Sequence, residues 1–218
     1  MKPKFGVLWD LDGVIVDTRE LHFSTWDEIA ERYSIPFSRE AFDNVFGMNN
    51  SDTLAKLTGT QPTREEVERI AGDKEALFRY RMKGQIQQPL RGVKKWLDRF
   101  QSWECPQAVA SSAPLPNIEG IVEELNLRNY FAALVSGTEM QGKPAPDVFL
   151  KAAELIQISP KNCVVIEDAV VGVKAAKKAE MYCVAVTTTT SREKLHQADR
   201  VVDSLDLLPD DFYPLSAS

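Results

Sequence analysis

The chain has 218 residues, of which 44% are hydrophobic and 27% charged, a balance typical of a soluble globular protein with its own core. Its net charge of −6 argues against a nucleic-acid partner, because such partners usually require a basic face. The sequence contains neither an apolar run of the ~20 residues that span a membrane nor a signal-peptide pattern, so we expect a cytoplasmic protein with no membrane partner.

The first predicted element is a short strand followed by two acidic residues. The apolar run from Phe5 to Trp9 is continuous, as in strands buried on both faces of a parallel sheet. Asp10 and Asp12 come next, and ligands of open α/β sheets bind beyond the carboxyl ends of the strands. Gly13 permits a tight turn close to a ligand. Aspartate is also common in turns and caps, so the pair alone leaves a structural interpretation open.

Helical periodicity dominates the segment 18–88. Asp17, with Glu20 three residues later, resembles a capping box and predicts a helix that runs to about Tyr33 and is stopped by Pro36. Further helices are predicted at 51–57 and 63–83.

After Pro89, short apolar runs alternate with helical patterns, which indicates parallel βαβ units. The predicted strands are 107–110, 134–135, 163–166, 183–186 and 201–202, and the predicted helices are 90–100, 118–125, 147–156 and 171–180. The expected fold is therefore α/β, with a Rossmann-like parallel-sheet core formed by residues 1–17 and 89–218 and a small helical domain, residues 18–88, inserted after the first strand.

Three further polar clusters lie beyond the first strand. Ser111 and Ser112 end one predicted strand, and Glu167 and Asp168 end another. Lys143 stands in a Gly-Lys-Pro-Ala-Pro-Asp stretch, whose prolines restrain the loop that carries it. Taken singly, each cluster is also compatible with an ordinary turn, helix cap or solvated surface group.

Taken together, these clusters carry a family resemblance. Asp-Leu-Asp-Gly-Val at 10–14 resembles the first motif of the haloacid dehalogenase superfamily, and the serine, lysine and acidic clusters resemble its other three motifs in order. The chain is identified as a member over essentially its whole length. The resemblance implies that Asp10 is a nucleophile that takes up a phosphoryl group and that Asp12 is a general acid/base. It also implies Mg²⁺, which offsets the repulsion between the carboxylates and a phosphate.

The same resemblance assigns the other motif residues. Ser111 would hydrogen-bond a phosphate oxygen, Ser112 would add a backbone amide contact, and Lys143 would act as a point charge on the phosphate and the nucleophile. The implied magnesium ligands are Asp10, the backbone carbonyl of Asp12, Asp168 and, as a weaker candidate acting through water, Glu167.

Within the superfamily, the inserted helices are similar to the cap of the β-phosphoglucomutase-like group, which belongs to the subfamily with a helical cap. His22 occupies the place of a histidine that these mutases use near the acid/base aspartate, although a partly buried helix residue is an equal alternative. Asn50 stands near the place of a cap arginine that grips a second phosphate, and an amide cannot replace that cation. Lys74 either reaches the site from the long cap helix or is solvated.

The missing arginine favours a phosphatase over a mutase. We therefore expect magnesium-dependent hydrolysis of a small phosphomonoester, a sugar or polyol phosphate, through an aspartyl-phosphate. A β-phosphoglucomutase-type isomerase is the alternative, and a non-catalytic phosphometabolite-binding protein is a remote one, because Asp10 and Asp12 are both present. The expected partner is a small phosphorylated metabolite. A monomer is the default expectation.

Overall fold

The computed structural model describes residues 5–86 and 88–214 and contains a six-stranded sheet. Its strands are β1 Gly6–Trp9, β2 Gln107–Ser111, β3 Ala133–Ser136, β4 Cys163–Glu167, β5 Tyr182–Val186 and β6 Arg200–Val202. They lie in the order β3-β2-β1-β4-β5-β6, and every neighbouring pair is parallel. The predicted parallel sheet is confirmed, with the first strand at its centre.

Helices follow β1 before the chain returns to the sheet. They are α1 Arg19–Tyr33, α2 Arg39–Asp43, α3 Asn50–Thr58 and α4 Arg64–Met82. These helices enclose an apolar cluster of their own, which contains Trp26, Ile29, Phe42, Leu54 and Ile70. The predicted helical insertion after the first strand is therefore confirmed. We call it the helical segment.

The sheet carries helices on both faces. They are α5 Val93–Ser102, α6 Leu115–Glu124, α7 Asp147–Leu155 and α8 Val170–Lys178. Because side chains alternate along a strand, Val7 and Trp9 join the apolar cluster that contains α5 and α6, whereas Leu8 joins the cluster of α7 and α8. All residues of β1 and β4 are buried, which explains their continuous apolar sequences.

Two local predictions failed. Helix α2 was not predicted, because its five residues are too few for helical periodicity to emerge. The capping box predicted at Asp17 and Glu20 was wrong, since the N-cap of α1 is Thr18 and Glu20 pairs instead with Arg39 at 2.7 Å. Other boundaries differ from prediction by up to three residues. Of the helices that the structure describes, none combines the length and apolarity needed to cross a membrane.

Candidate active site

Polar side chains from neighbouring strands meet at one edge of the sheet. Asp10 follows β1, Ser111 ends β2, and Glu167 ends β4 with Asp168 directly after it. The chain passes from β1 to β2 and β3 on one side of the sheet and then crosses to β4 on the other side. Such a switch of direction opens the crevice in which α/β sheets bind ligands. These predicted residues are thus brought together.

Lys143 reaches this crevice from the loop between β3 and α7. Its Nζ atom lies 2.8 Å from Oδ1 of Asp10 and 2.6 Å from Oε1 of Glu167, and the side chain is buried. Burial alone would lower the pKa of this lysine, but the two carboxylates outweigh it and raise the pKa above its usual value. Lys143 is therefore a fixed positive charge beside Asp10.

The carboxylates of Asp10, Glu167 and Asp168 are buried and place oxygens within 4.8 Å of one another. Burial raises the pKa of Asp10 to about 7, against the opposing effect of Lys143. Burial and repulsion from the neighbouring carboxylates also raise the pKa of Asp168 well above its usual value. The single charge of Lys143 does not balance three carboxylates. Their oxygen atoms are the ligands that a hard cation such as Mg²⁺ prefers, so the cluster fits such an ion.

Glu167 has a further role in shaping the loop after β4. Its Oε2 accepts hydrogen bonds from the backbone N–H groups of Asp168 and Ala169, both at 2.8 Å, while Oε1 accepts from Lys143. A side chain at position 172 would collide with this carboxylate, which accounts for Gly172 in the first turn of α8. Both oxygens of Glu167 are thus engaged by protein donors, whereas within the described part of the chain the hydrogen bond to the Asp168 side chain engages only its Oδ2.

Gly13 makes room for Asp168. It has a φ of +79°, and a Cβ atom there would collide with the Asp168 carboxylate and the side chain of Thr189. The Thr189 hydroxyl donates a hydrogen bond to Oδ2 of Asp168. The turn after β1 and the loop after β5 therefore hold Asp168 between them.

Asp12 is held by the helical segment rather than by the sheet. The hydroxyl of Thr18 and Nε2 of His22, the latter at 3.3 Å, both bond its Oδ1 atom. Burial raises the pKa of Asp12, but His22, Thr18 and the charge of Lys74 outweigh this effect and hold the pKa below its usual value. Because Thr18 uses its hydroxyl in this way, it makes no side-chain cap on α1.

Lys74 is buried and not solvated. Its Nζ atom donates a hydrogen bond of 2.9 Å to Nδ1 of His22, and the ring of His22 stacks on Phe78 with centroids 4.1 Å apart. An ammonium group can only donate, so Nδ1 accepts this bond and leaves Nε2 to donate to Asp12. The structure thus connects both cap candidates, His22 and Lys74, to Asp12.

Glu75 is an acidic residue that the sequence reasoning missed. Its Oε1 accepts hydrogen bonds from Lys74 at 2.8 Å and from Asn50 at 2.9 Å. Its Oε2 accepts one of 2.5 Å from Asn117 on α6. Burial opposes ionisation, but Lys74 and these bonds outweigh it and lower the pKa of Glu75. The predicted cap residue Asn50 therefore faces this carboxylate.

The two adjacent serines have different surroundings. Ser111 is buried, and its Oγ accepts a hydrogen bond from the backbone N–H of Ala113 at 3.1 Å. Ser112 directs its hydroxyl to the helical segment, where it donates to the carbonyl of Gly47 at 2.9 Å. Only the backbone of Ser112 therefore remains for the amide contact predicted for it.

A cavity of about 50 Å³ lies between the sheet edge and the helical segment. We call it the central cavity. Its sheet side is lined by Asp10, Asp12 and Ser111 to Pro114, and its helical side includes His22, Asn50, Lys74 and Glu75. The central cavity therefore holds both acidic residues of the first motif and the three cap candidates.

Three residues of this site escaped the sequence reasoning. Thr189 follows β5 and obeys the same strand-end rule that selected Asp10, so that rule would have found it. Thr18 directly follows the first motif and is close enough in the chain to contact it. Glu75 carries no local signal, because acidic residues are common on an exposed helix face.

Comparison with known proteins supports the same family. The family model of haloacid dehalogenase-like hydrolases matches residues 7–186. The β-phosphoglucomutase of Bacillus subtilis (strain 168) is 34% identical over 188 residues, which cover 83% of this chain and 82% of that protein. A fructose-1-phosphate phosphatase of Escherichia coli (strain K12) is 31% identical over 186 residues, which cover 83% of this chain and 95% of that protein.

The fold leads to the same family. The crystal structure of a β-phosphoglucomutase from Clostridium difficile matches with a TM-score of 0.86 at 25% identity, over 95% of this chain and 94% of that chain. The matched region includes both the sheet and the inserted helices. Since the family model spans most of the sequence and the architecture agrees, the expectation drawn from the four motifs is confirmed, and the chain belongs to the haloacid dehalogenase-like hydrolases.

Proposed function

We propose that the chain is a magnesium-dependent phosphatase that hydrolyses a small phosphomonoester, a sugar or polyol phosphate, through an aspartyl-phosphate. The observation that carries this proposal is that two nearby carboxylates have different hydrogen-bond partners. Asp10 bonds Lys143 at 2.8 Å, whereas Asp12 bonds Thr18 and His22. One is prepared for attack beside a positive charge, and the other for proton transfer.

In the first step, a carboxylate oxygen of Asp10 attacks phosphorus, and the bond from phosphorus to the ester oxygen breaks. The leaving oxygen takes a proton from Asp12. Although the pKa of Asp12 lies below its usual value in the substrate-free cavity, an arriving phosphate dianion raises it by repulsion and favours the protonated form. Lys143 and Ser111 hold the phosphoryl oxygens during this transfer.

In the second step, water attacks the phosphorus of the aspartyl-phosphate and gives its proton to Asp12, which releases inorganic phosphate and restores Asp10. Asp10, Asp168 and the backbone carbonyl of Asp12 would hold Mg²⁺, with Glu167 as the weaker candidate. When bound, the ion would offset the charge between the carboxylates and the phosphate.

We assign residues 18–88 as a cap domain over a discontinuous core of residues 1–17 and 89–218. The separate apolar cluster of the helical segment supports this division. So does the central cavity, which lies between the sheet edge and the helical segment and is lined by residues of both. A cap in this place would exclude bulk water from the reacting groups when it closes over a bound substrate.

A β-phosphoglucomutase-type isomerase is the second candidate, favoured by the 34% identity to the Bacillus subtilis enzyme. Asn50, which stands near the expected position of a phosphate-gripping arginine, is bonded to Glu75 and offers no cation. The 31% identity to the Escherichia coli fructose-1-phosphate phosphatase is consistent with hydrolysis. A non-catalytic binding protein is disfavoured, because both Asp10 and Asp12 are retained. Cytoplasmic location and a monomeric state stay predictions.

The test is an assay of the purified protein with Mg²⁺ and a panel of sugar phosphates that includes β-glucose 1-phosphate. Both free phosphate and isomerised sugar phosphate are quantified. We expect free phosphate, lost in Asp10→Asn. Glucose 6-phosphate formed without free phosphate would instead establish the mutase, and binding without turnover of any compound would indicate the non-catalytic alternative.

A further inference from the structure

Glu75 places a buried carboxylate in the wall of the central cavity, on its helical side. Its side chain is only 7% exposed, and its two oxygens accept bonds from Lys74, Asn50 and Asn117. A carboxylate offers about four acceptor positions, of which these bonds occupy three. One position is thus left for a donor that enters the cavity.

The second observation is the charge on the helical side of the central cavity. The described cavity residues of the helical segment include two with a formal charge, Lys74 and Glu75, when His22 is neutral. These two residues form an ion pair, with 2.8 Å between Nζ of Lys74 and Oε1 of Glu75. The remaining lining there consists of apolar, hydroxyl and amide groups such as Phe46, Met48, Thr53 and Asn50. The cap side therefore provides a hydrogen-bond acceptor, and its one lysine is paired with that acceptor.

We propose that Glu75 determines the substrate class of this enzyme: it accepts a hydrogen bond from a hydroxyl of the leaving group and excludes a second phosphoryl group. This inference rests on the proposed phosphatase function and deepens it. A hydroxyl can donate to the remaining acceptor position, whereas a phosphate dianion presents only acceptors and like charge to it. The substrate is then a monophosphate of a neutral, polyhydroxylated compound, and bisphosphates are rejected.

The surrounding contacts keep the carboxylate in place for this role. Asn117 belongs to α6 beside the sheet, while Asn50 and Lys74 belong to the helical segment, so Glu75 is held by hydrogen bonds from both parts. Asn117 is itself oriented by Arg79, whose Nη1 donates to its Oδ1 at 3.0 Å. The Glu75 carboxylate is thus held in a buried position, where water screens charge repulsion least.

The experiment compares fructose 1-phosphate with fructose 1,6-bisphosphate, which share the sugar and differ by one phosphoryl group. Phosphate release is measured with Mg²⁺ for wild type, Glu75→Gln and the control Glu68→Gln. Glu68 lies on the same helix, is 63% exposed and pairs with Arg64, so its variant removes one negative charge outside the cavity. Equilibrium binding of both compounds is measured by calorimetry on the same three proteins.

We expect wild type and Glu68→Gln to favour the monophosphate in kcat/KM by about 100-fold or more, and Glu75→Gln to reduce this preference by about tenfold or more. The reduction should arise mainly from a lower KM for the bisphosphate. An unchanged preference in folded Glu75→Gln would mean that size rather than charge excludes the bisphosphate, and the inference would be overturned.

The two proposals fail in different ways. If wild type releases no phosphate from any compound, the phosphatase function is wrong, and the binding data still test Glu75. If wild type turns over or binds the bisphosphate as well as the monophosphate, Glu75 does not set the substrate class. This second outcome needs no variant, so it decides the question even if Glu75→Gln does not fold.

Discussion

Lys74 donates a hydrogen bond of 2.9 Å from Nζ to Nδ1 of His22, although the two residues lie on different helices of the segment. This contact fixes the ring so that Nε2 faces Oδ1 of Asp12 at 3.3 Å. A lysine on α4 therefore positions the group that we assign as general acid/base without touching it. The surroundings of Asp12 therefore depend on how α1 and α4 pack against each other.

Replacing Lys74 with Met should reduce kcat by about 10- to 100-fold, since proton transfer by a well-placed group contributes about 10²–10⁴-fold and misplacement loses part of that. The positive charge of Lys74 lowers the pKa of Asp12, so its removal should shift to higher pH the basic limb of the pH–rate profile, where Asp12 loses the proton that it must donate. Lys56→Met, at an exposed position of α3, is the control. A basic limb that does not move would contradict this coupling.

Gly13→Ala should impair both the site and the fold. The positive φ of 79° costs a non-glycine residue about 1–2 kcal/mol. Gly59→Ala is the matched control, because Gly59 has a φ of +72° and nothing within 4 Å of an added Cβ. Thermal denaturation should show the larger loss in Gly13→Ala, because its added Cβ also collides with the Asp168 carboxylate, and only this variant should lose about 100-fold in activity. Equal activity in the two variants would count against the proposed role of Asp168.

The metal-free protein should become less stable as the pH rises from about 4 toward 7. Burial raises the pKa of Asp10 from 3.8 to about 7, so in this range the folded form holds a proton that the unfolded form has lost. The free energy of unfolding should fall by at most about 1.4 kcal/mol per pH unit for this group. Urea unfolding across this range measures the slope.

Saturating Mg²⁺ should flatten that slope, because a bound cation favours the carboxylate in the folded state. Asp10→Asn removes one of two buried carboxylates with a raised pKa, so it should reduce the slope without metal and leave the contribution of Asp168. An undiminished slope in Asp10→Asn would show that the assignment to Asp10 is wrong.

The adjacent serines offer a test within one loop. Ser111→Ala should lower kcat/KM by about 10- to 100-fold, the effect of losing a hydrogen bond to a charged phosphate oxygen. Ser112→Ala removes the 2.9 Å bond to the Gly47 carbonyl and should change kcat/KM by only about threefold or less. Steady-state kinetics on one monophosphate is sufficient. A larger effect at Ser112 than at Ser111 would reverse the assignment.

The sequence by itself determined the sheet and the edge that carries the motif residues. Continuous apolar runs at β1 and β4 favour strands buried on both faces, and acidic residues directly after such strands lie at the carboxyl edge of the sheet. These inferences depend only on residues that are close together in the chain. The two failed predictions have the same origin. Helix α2 is too short to show helical periodicity, and the Thr18 hydroxyl donates to Asp12 and does not cap α1.

Only the tertiary structure decided what the helical segment contributes. Helix α4 is rich in charged residues, and nothing local separates Glu75 and Lys74, which are buried, from Glu68, which is exposed. Their burial results from packing against His22 of α1 and Asn117 of α6, residues that are 52 and 42 positions away in the chain. The face that a helix buries is fixed by its partners, and for this reason the groups that we propose to set substrate choice are recognised only once the helices are packed.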